Sequence, residues 1–442
     1  MKVILQLINL TLFLLLFQPA AHSESLFGSE DSLSQSPNVT LSLDNDSTYL
    51  PFRFSVFPFV SSSGRSTVST VDYSVNLFGG YNGNIRRMEV GTIFNADLGN
   101  VQWVQMAGIG NFVEKDVTGF QMAGCVNLVH GKVHGAQVAG IGNLVNGTAT
   151  GLQYAGIFNI SNKLMIGIQC AGIINQNNDT ADGVQIAGII NNNLSSGNNV
   201  AIAGLVNHQQ GTLKGVQISG LCNSSLKGMD GVQIAGLANL STGTHRGSQI
   251  SGFVNIADKI EGTQIGVFNF SDSINGIPVG LLSFSKNGFH KLEIFANETF
   301  YINAAFHTGA AAFHNIITAG IRPDSSRNPV WSVGYGFGSN ISISPRTTLL
   351  IDITSSQISR TDITPKMNLL NKGYIGIEVR LNKNIAINTG PELNAWFTNP
   401  QYKEYPSLFG NIKPDVFYHD QSKNKKFDAK MWIGWKLGVK LF

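Results

Sequence analysis

Charge is scarce in this chain. Lys and Arg number 30 against 27 Asp and Glu, a formal net charge of +3, and charged residues make up only 13% of the 442. That is about half the usual share, and it leaves no dense basic patch, so no nucleic-acid partner is expected. Three cysteines cannot build a disulfide framework. Beyond Phe17 no stretch approaches the ~18 unbroken apolar residues of a membrane-crossing helix. What the sequence does have is 49 Gly and 27 Phe. Ample apolar content excludes general disorder, and the glycine points to β-structure rich in turns. The length suits two or three domains at roughly 100–200 residues each.

Met1-Lys2, the apolar run Val3–Phe17 and the small residues Ala21 and Ser23 read as a Sec signal peptide, residues 1–23, cleaved after Ser23. No Cys stands at that site to accept a lipid. Residues 24–50, rich in Ser, Asn and Asp, read as a flexible leader. The expected address is the outer membrane or cell surface of a Gram-negative bacterium, with the periplasm as the alternative.

The most informative feature is repetition. The phrase Gln-x-Ala-Gly-x-x-Asn recurs with Gln at 105, 121, 137, 153, 169, 185, 217, 233 and 249, each gap 16, or 32 where Ala201 stands in the Gln column. Three residues on lies a glycine column: Gly108, Gly124, Gly140, Gly156, Gly172, Gly188, Gly204, Gly220, Gly236 and Gly252. Three further on lies an asparagine column: Asn111, Asn127, Asn143, Asn159, Asn175, Asn191, Asn207, Asn223, Asn239 and Asn255. A second glycine column, from Gly119 to Gly247, sits two before the Gln, with Asn199 replacing one member. Met88-Glu89-Val90-Gly91 with Asn95 is a degenerate copy upstream, and Gln264 and Pro278 follow at shorter gaps.

In Gly183-Val184-Gln185-Ile186-Ala187-Gly188, Val184 and Ile186 share one face and Gln185 takes the other, which is strand alternation. The next eight residues are mostly turn formers. A sixteen-residue circuit of at most ~53 Å suits one rung of a β-solenoid with two short strands. The competing architecture makes each repeat one antiparallel strand of a single large barrel. Alternate turns would then lie on opposite rims, and the period should be near thirty-two. An even sixteen instead favours in-register parallel stacking, about eleven rungs in a rod of roughly 50 Å. The Asn column then forms an amide ladder, with Gln able to do the same, and the Gly columns mark corners where a Cβ would clash or φ must be positive. On this reading Gly172→Val breaks the stack, while Asn177→Ser, placed in the variable turn, is near neutral. Cys125, Cys170 and Cys222 occupy different columns, out of disulfide reach, and read as small buried hydrophobes.

From Gly288 the repeat gives way to longer alternating segments: Lys291–Ala305, Asn315–Ile321, Trp331–Ile343, Thr347–Ile358, Gly373–Leu381, Ile385–Phe397 and Lys430–Phe442. One apolar face per segment, with polar turns between, is the pattern of a membrane β-barrel. Pro51–Val60 and Val71–Tyr81 read as further strands of the same sheet, giving roughly eight to ten strands. The last segment puts Met431, Ile433, Trp435, Leu437, Val439 and Leu441 on one face. The terminal Phe442 falls on the other, a departure from the usual outer-membrane ending that leaves a soluble sandwich open. The domain reading is 1–23 signal peptide, 24–50 leader, 51–98 N-terminal strands and cap, 99–284 β-solenoid, and 285–442 antiparallel barrel or sandwich. Residues 71–98 and 277–300 are expected to cap the rod.

The Gln-x-Ala-Gly-x-x-Asn array, the exit Gly276-Ile277-Pro278-Val279-Gly280-Leu281-Leu282-Ser283-Phe284 and the segment Lys286–Ile294 resemble a family of exported surface-repeat proteins of Bacteroidetes. They are also similar to Leptospira-type surface-repeat proteins. The likeness spans about Pro51–Ile321. It implies an envelope location and no assigned activity.

Catalytic signals are weak. Glycoside hydrolysis needs two carboxylates about 5–9.5 Å apart, but Asp182 and Asp230 share a column three rungs apart, and Asp116, Asp179, Asp258 and Glu261 sit in turns. His130 and His134 lack a helix to bring them together. His290, His307 and His314 lack partners at zinc spacing. No P-loop, dinucleotide fingerprint or nucleophile elbow occurs. No catalytic residue, metal or cofactor is assigned. The expectation is a non-enzymatic envelope protein presenting its solenoid as a structural or interaction surface, with a protein or glycan partner unidentified. An outer-membrane pore or transporter is the alternative, and a β-helix carbohydrate enzyme the second.

Overall fold

The structure, a computed structural model, describes residues 48–58, 60–64, 69–323, 329–360, 367–399, 415–421 and 428–441. The proposed signal peptide, the leader up to residue 47, Phe59 and Phe442 lie outside the described residues.

The repeats are parallel. Each sixteen-residue unit contributes one seven-residue strand, such as Ala181–Ala187, and one four-residue strand, such as Ile190–Asn193. Each pairs with its counterpart one unit away in unbroken register: Gln169 faces Gln185, and Asn175 faces Asn191. This is a β-solenoid of about 14 turns, roughly 65 Å long at ~4.8 Å per rung. The single-large-barrel alternative requires antiparallel neighbours and is overturned by this pairing. The stack also begins earlier than the repeat phrase. Tyr49–Phe57 and Thr70–Asn76 pair in parallel and lead directly into the later rungs, so they belong to the solenoid and not to the barrel. Residues 71–98 are therefore rungs themselves. Over Ala238–Ser251, Val254–Ile265 and Phe268–Val279 the two strands of a turn merge as the gap shortens.

Both glycine columns are closed to a Cβ by the carbonyl one rung earlier, and the second carries a backbone constraint as well. At all ten corner glycines from Gly108 to Gly252, an added Cβ would come within 1.9–2.3 Å of the carbonyl oxygen of the residue one rung earlier. The second column, Gly167 (φ +134°) among its members, holds a positive φ that side-chain-bearing residues rarely adopt. Trp103, which opens this column, is the only non-glycine among the described residues with positive φ.

Eight antiparallel strands form a separate closed barrel: Phe289–Ala296, Ile302–Ala310, Phe313–Arg322, Val330–Ser342, Thr347–Ser359, Asn368–Arg380, Ile385–Thr398 and Asp428–Leu441. Leu292–Ala296 pairs with Leu437–Leu441 to close the ring. The single segment read as Lys291–Ala305 is two strands, turned at Asn297–Tyr301. A ninth strand, Val416–Gln421, lies beside the start of the last one. In the seam between them Glu298 accepts hydrogen bonds from Trp432 Nε1 (3.0 Å) and the Trp435 amide (3.1 Å).

Asn177 is not in a turn. It points inward from the short strand and donates to Gln169 Oε1 (2.8 Å) and Asn193 Oδ1 (3.0 Å), so the expectation that Asn177→Ser is neutral is corrected. Exposed Lys163 is the neutral site. Gly172→Val forces its Cβ against the Gly156 carbonyl at 2.1 Å. It should destabilise the fold by about 3 kcal/mol or more, against under ~0.5 kcal/mol for Lys163→Ala. Equal melting temperatures for the two variants would refute the corner geometry.

Candidate functional site

Inside the solenoid two polar columns, Asn and Gln, run beside an apolar one that includes Val101, Val117, Val133, Ala149 and Met165. Each Asn of the ladder is buried, and its Nδ2 makes two bonds. One goes to the Oδ1 of the Asn in the next rung and the other to a backbone carbonyl eleven residues on, as Asn127 does to Asn143 (2.8 Å) and Val138 (2.9 Å). From Asn111 to Asn255 these rung-to-rung bonds measure 2.8–3.0 Å. A backbone carbonyl can only accept, so it turns the Nδ2 of each amide toward itself and sets that amide's orientation. The Asn chain therefore donates toward the C-terminal end, running on through Asn269 to the Ser283 hydroxyl.

The Gln column forms a second ladder of opposite sense. Gln121 Nε2 donates back to Gln105 Oε1 (2.8 Å), and the pattern holds through Gln185 and again from Gln217 to Gln264. The dipoles of the two ladders thus oppose each other. At the break, Ala201 is matched by the larger buried Gln209, eight residues on, where other rungs place Ser161, Asn177 or Asn193.

The Gln ladder ends on two carboxyls. Gln105 Nε2 donates to Glu89 Oε2 (2.7 Å) and Asp97 Oδ2 (2.5 Å), both fully enclosed. Glu89 sits in the Gln column of the degenerate copy, a signal readable in the sequence but passed over in the search for surface acid pairs. Burial raises both carboxyl pKa values, and the neighbouring Glu89 charge pushes Asp97 well above the ordinary carboxylate range. Buried Arg53, itself shifted down by desolvation, donates to Asn82 Oδ1 (3.2 Å) in the same interior. Sealed inside the stack, the carboxyl pair caps the donor end of the ladder and has no face for a substrate.

The barrel lumen holds the second cluster. Glu293 pairs with His307 Nε2 (2.9 Å) and Lys436 Nζ (2.8 Å), Lys440 with Glu378 (3.2 Å), and Lys372 with Glu392 (3.0 Å). The Lys436 ammonium lies 4.3 Å from the ring centres of both Phe295 and Tyr374. Toward the rim of the longer connections, Phe300, Val330, Ile358, Leu370, Trp396 and Trp432 form an apolar plug. An eight-stranded barrel is just wide enough for its own side chains, and these leave only a cavity of about 30 Å³ among Glu293, His307, Asp352 and Lys436.

Other candidates are scattered. Asp182 and Asp230 project from separate rungs on the charged edge, Asp116 and Asp179 lie in turns beside it, Asp258 lies in the strand Val254–Ile265, and Arg246 bridges Asp230 (3.3 Å) and Glu261 (2.9 Å). His130 lies against Glu114 (3.3 Å), and His134 is exposed. Cys125, Cys170 and Cys222 are free and half-exposed on outer faces, not buried. Among the described residues no group of three or more His, Cys, Asp or Glu side chains could hold a metal. Comparisons of the chain with protein-family models, with curated proteins and with solved structures find no match.

Two outcomes follow from the buried charges. Carboxyls raised by burial bind protons more tightly folded than unfolded. Their stabilisation is therefore complete below the ordinary carboxyl range and lost as pH rises through the raised values. Melting temperature should fall as pH rises above the ordinary carboxyl range, and Asp97→Asn should flatten that slope. An unchanged slope would place the titration elsewhere. In the barrel, Glu293→Gln leaves Lys436 without its closest anion and should cost about 3–5 kcal/mol in urea unfolding. A loss below ~1 kcal/mol, the level of an exposed pair, would contradict the lumen network.

Proposed function

We propose that the chain is a non-enzymatic outer-membrane protein, anchored by its eight-stranded barrel and presenting the β-solenoid as a structural or interaction surface. One observation carries this reading: the barrel is apolar outside and charged inside. Ile353 (66% exposed), Ile433 (69%), Ile375 and Leu437 face outward, while Glu293, Glu378, Lys436 and Lys440 are enclosed. In water that arrangement exposes a belt far larger than the few hundred Å² usual on soluble proteins. In a bilayer it is the stable one. The export signal read from residues 1–23 and the resemblance to exported surface-repeat proteins agree with it. A conducting pore needs an open lumen, and the ion pairs and apolar plug leave that alternative without support. Expressed in a Gram-negative host, the protein should fractionate with the outer membrane and migrate faster on a gel before boiling than after. It should give no single-channel current in a planar bilayer. Recovery as a soluble periplasmic protein without a heat-shifted band would sink the anchor, and steady unitary conductance would restore the pore.

A further inference from the structure

Over residues 99–284 the rod carries its charge on one edge. Every Asp, Glu, Lys and Arg there falls in the turn that joins the short strand of one rung to the long strand of the next, at that strand's outward start, or, where the two strands merge, at the matching stretch (Arg246, Asp258, Lys259, Glu261 and Asp272). The opposite edge is different. Counting from each Gln-column residue between 105 and 249, the positions one before and one, four, five and seven after contain no charged residue in any of the ten rungs. These columns take in the outer face of the long strand, the corner itself and the outer face of the short strand, the last being polar in four consecutive rungs at Gln176, Asn192, His208 and Ser224. Tyr154, Ile168, Ile186, Leu237 and Phe253 are among the exposed members.

The backbone of this edge makes no demand on water at its corner amides. Gly124 N donates to Ala107 O (3.1 Å), Cys125 N to Ile109 O (2.8 Å) and Val126 N to Ile109 O (3.0 Å), and the later rungs repeat the pattern. Internal satisfaction of backbone groups is what an apolar solvent requires.

The edge is also continuous with the barrel wall. The last rung docks on the outside of the barrel. Thr308 Oγ1 donates to Ser283 O (2.7 Å), Asn315 Nδ2 to Gly280 O (2.6 Å) and Tyr335 OH to Gly280 O (3.0 Å). Along their strands these three alternate with lumen-facing residues such as His307 and His314, and share the outward face with exposed Phe306, Ile317 and Phe337. Gly280 is itself the corner of the last turn, followed by exposed Leu281. The apolar edge of the rod therefore starts on the apolar surface of the barrel.

We propose that phospholipid acyl chains cover this edge, so that the rod lies in the plane of the membrane, embedded along one side. The inference rests on the membrane reading of the barrel. Lipid fits better than a second copy, because the charge-free surface is curved, turning around the corner from the long strand to the short one. A flat protein contact covers one side, whereas a leaflet closes around the curve, as it does around in-plane amphipathic helices. The docking point also selects the leaflet. It lies toward the rim with the short turns 311–312, 343–346 and 381–384, whereas at the other rim the chain leaves the strands at Arg322, Ser359 and Thr398 and re-enters at Val330, Asn368 and Val416, longer gaps in sequence. In outer-membrane barrels the short turns are periplasmic, which puts the rod in the periplasmic leaflet.

The three native cysteines all fall in charge-free columns and serve as reporters. In full-length protein reconstituted into phosphatidylethanolamine–phosphatidylglycerol vesicles, nitroxide labels are placed singly at Cys170 and Cys125, the other cysteines being replaced by Ser. Asn178→Cys on the charged edge and Ile353→Cys on the barrel wall serve as references. Power saturation with oxygen and with a water-soluble nickel chelate should give Cys170 and Cys125 the lipid signature of Ile353→Cys. Their oxygen-to-nickel accessibility ratio should be on the order of tenfold above that of Asn178→Cys. If Cys170 and Cys125 match Asn178→Cys while Ile353→Cys stays in lipid, the edge is in water and the inference fails, with the barrel reading intact. If Ile353→Cys is also in water, the barrel reading fails first. Labels shielded from both reagents and broadened by a neighbouring spin would mean that a second copy covers the edge, which also overturns the proposal.

Discussion

A hydrogen bond between identical amides, repeated once per rung, is the constraint on which the rest of the solenoid depends. It exists only if each Asn lies directly over the last, at the spacing of neighbouring strands. That requirement fixes the register of both strands, and close stacking at the corner then admits only glycine. Removing one member would leave its neighbours with unpaired buried polar atoms, at about 1–3 kcal/mol each. A core of this kind specifies one alignment more sharply than an aliphatic core. A one-residue slip in oil costs packing, but a slip here strands donors and acceptors throughout the stack.

The two ladders also explain how the ends are chemically distinct. The Gln chain presents donors toward the N-terminal rungs, and there Glu89 and Asp97 accept them. The Asn chain presents donors toward the C-terminal rungs, where Ser283 accepts, its own carbonyl and amide being held by barrel residues Thr308 and Asn315. Opposed dipoles keep the long polar interior from accumulating a field along the rod. The two carboxyls at one end sit where their oxygens accept otherwise uncovered amide protons.

Much of this was legible in the residues. The sixteen-residue spacing of Gln, Gly and Asn carried the parallel stack, and the alternation in Gly373–Leu381 carried the barrel strands. The polarity of the faces was not legible. Alternation at Val184, Gln185 and Ile186 separates two faces but does not say which one is inside, and a core built of amides reverses the usual assumption. Asn177 was misplaced for a related reason: in an Asn-rich turn nothing marks the one residue whose side chain points inward. Tyr49–Phe57 and Thr70–Asn76 lack the Gln and Asn columns, so the parallel pairing there is set by their neighbours in the stack and not by any phrase of their own. The closing seam at Glu298 depends on contacts with Asn394, Trp432 and Trp435, close to a hundred residues or more along the chain. No local pattern announces these.

Because interior rungs are interchangeable while both ends are capped by special residues, the molecule has a modular length. Duplicating or deleting one copy between Gln121 and Gln169 would recreate every contact type already present and disturb neither terminus. The distance from the barrel wall to the far end would change in increments of ~4.8 Å. Lineages could thus vary the reach of the protein by unequal recombination at the DNA level, without having to invent a new interface.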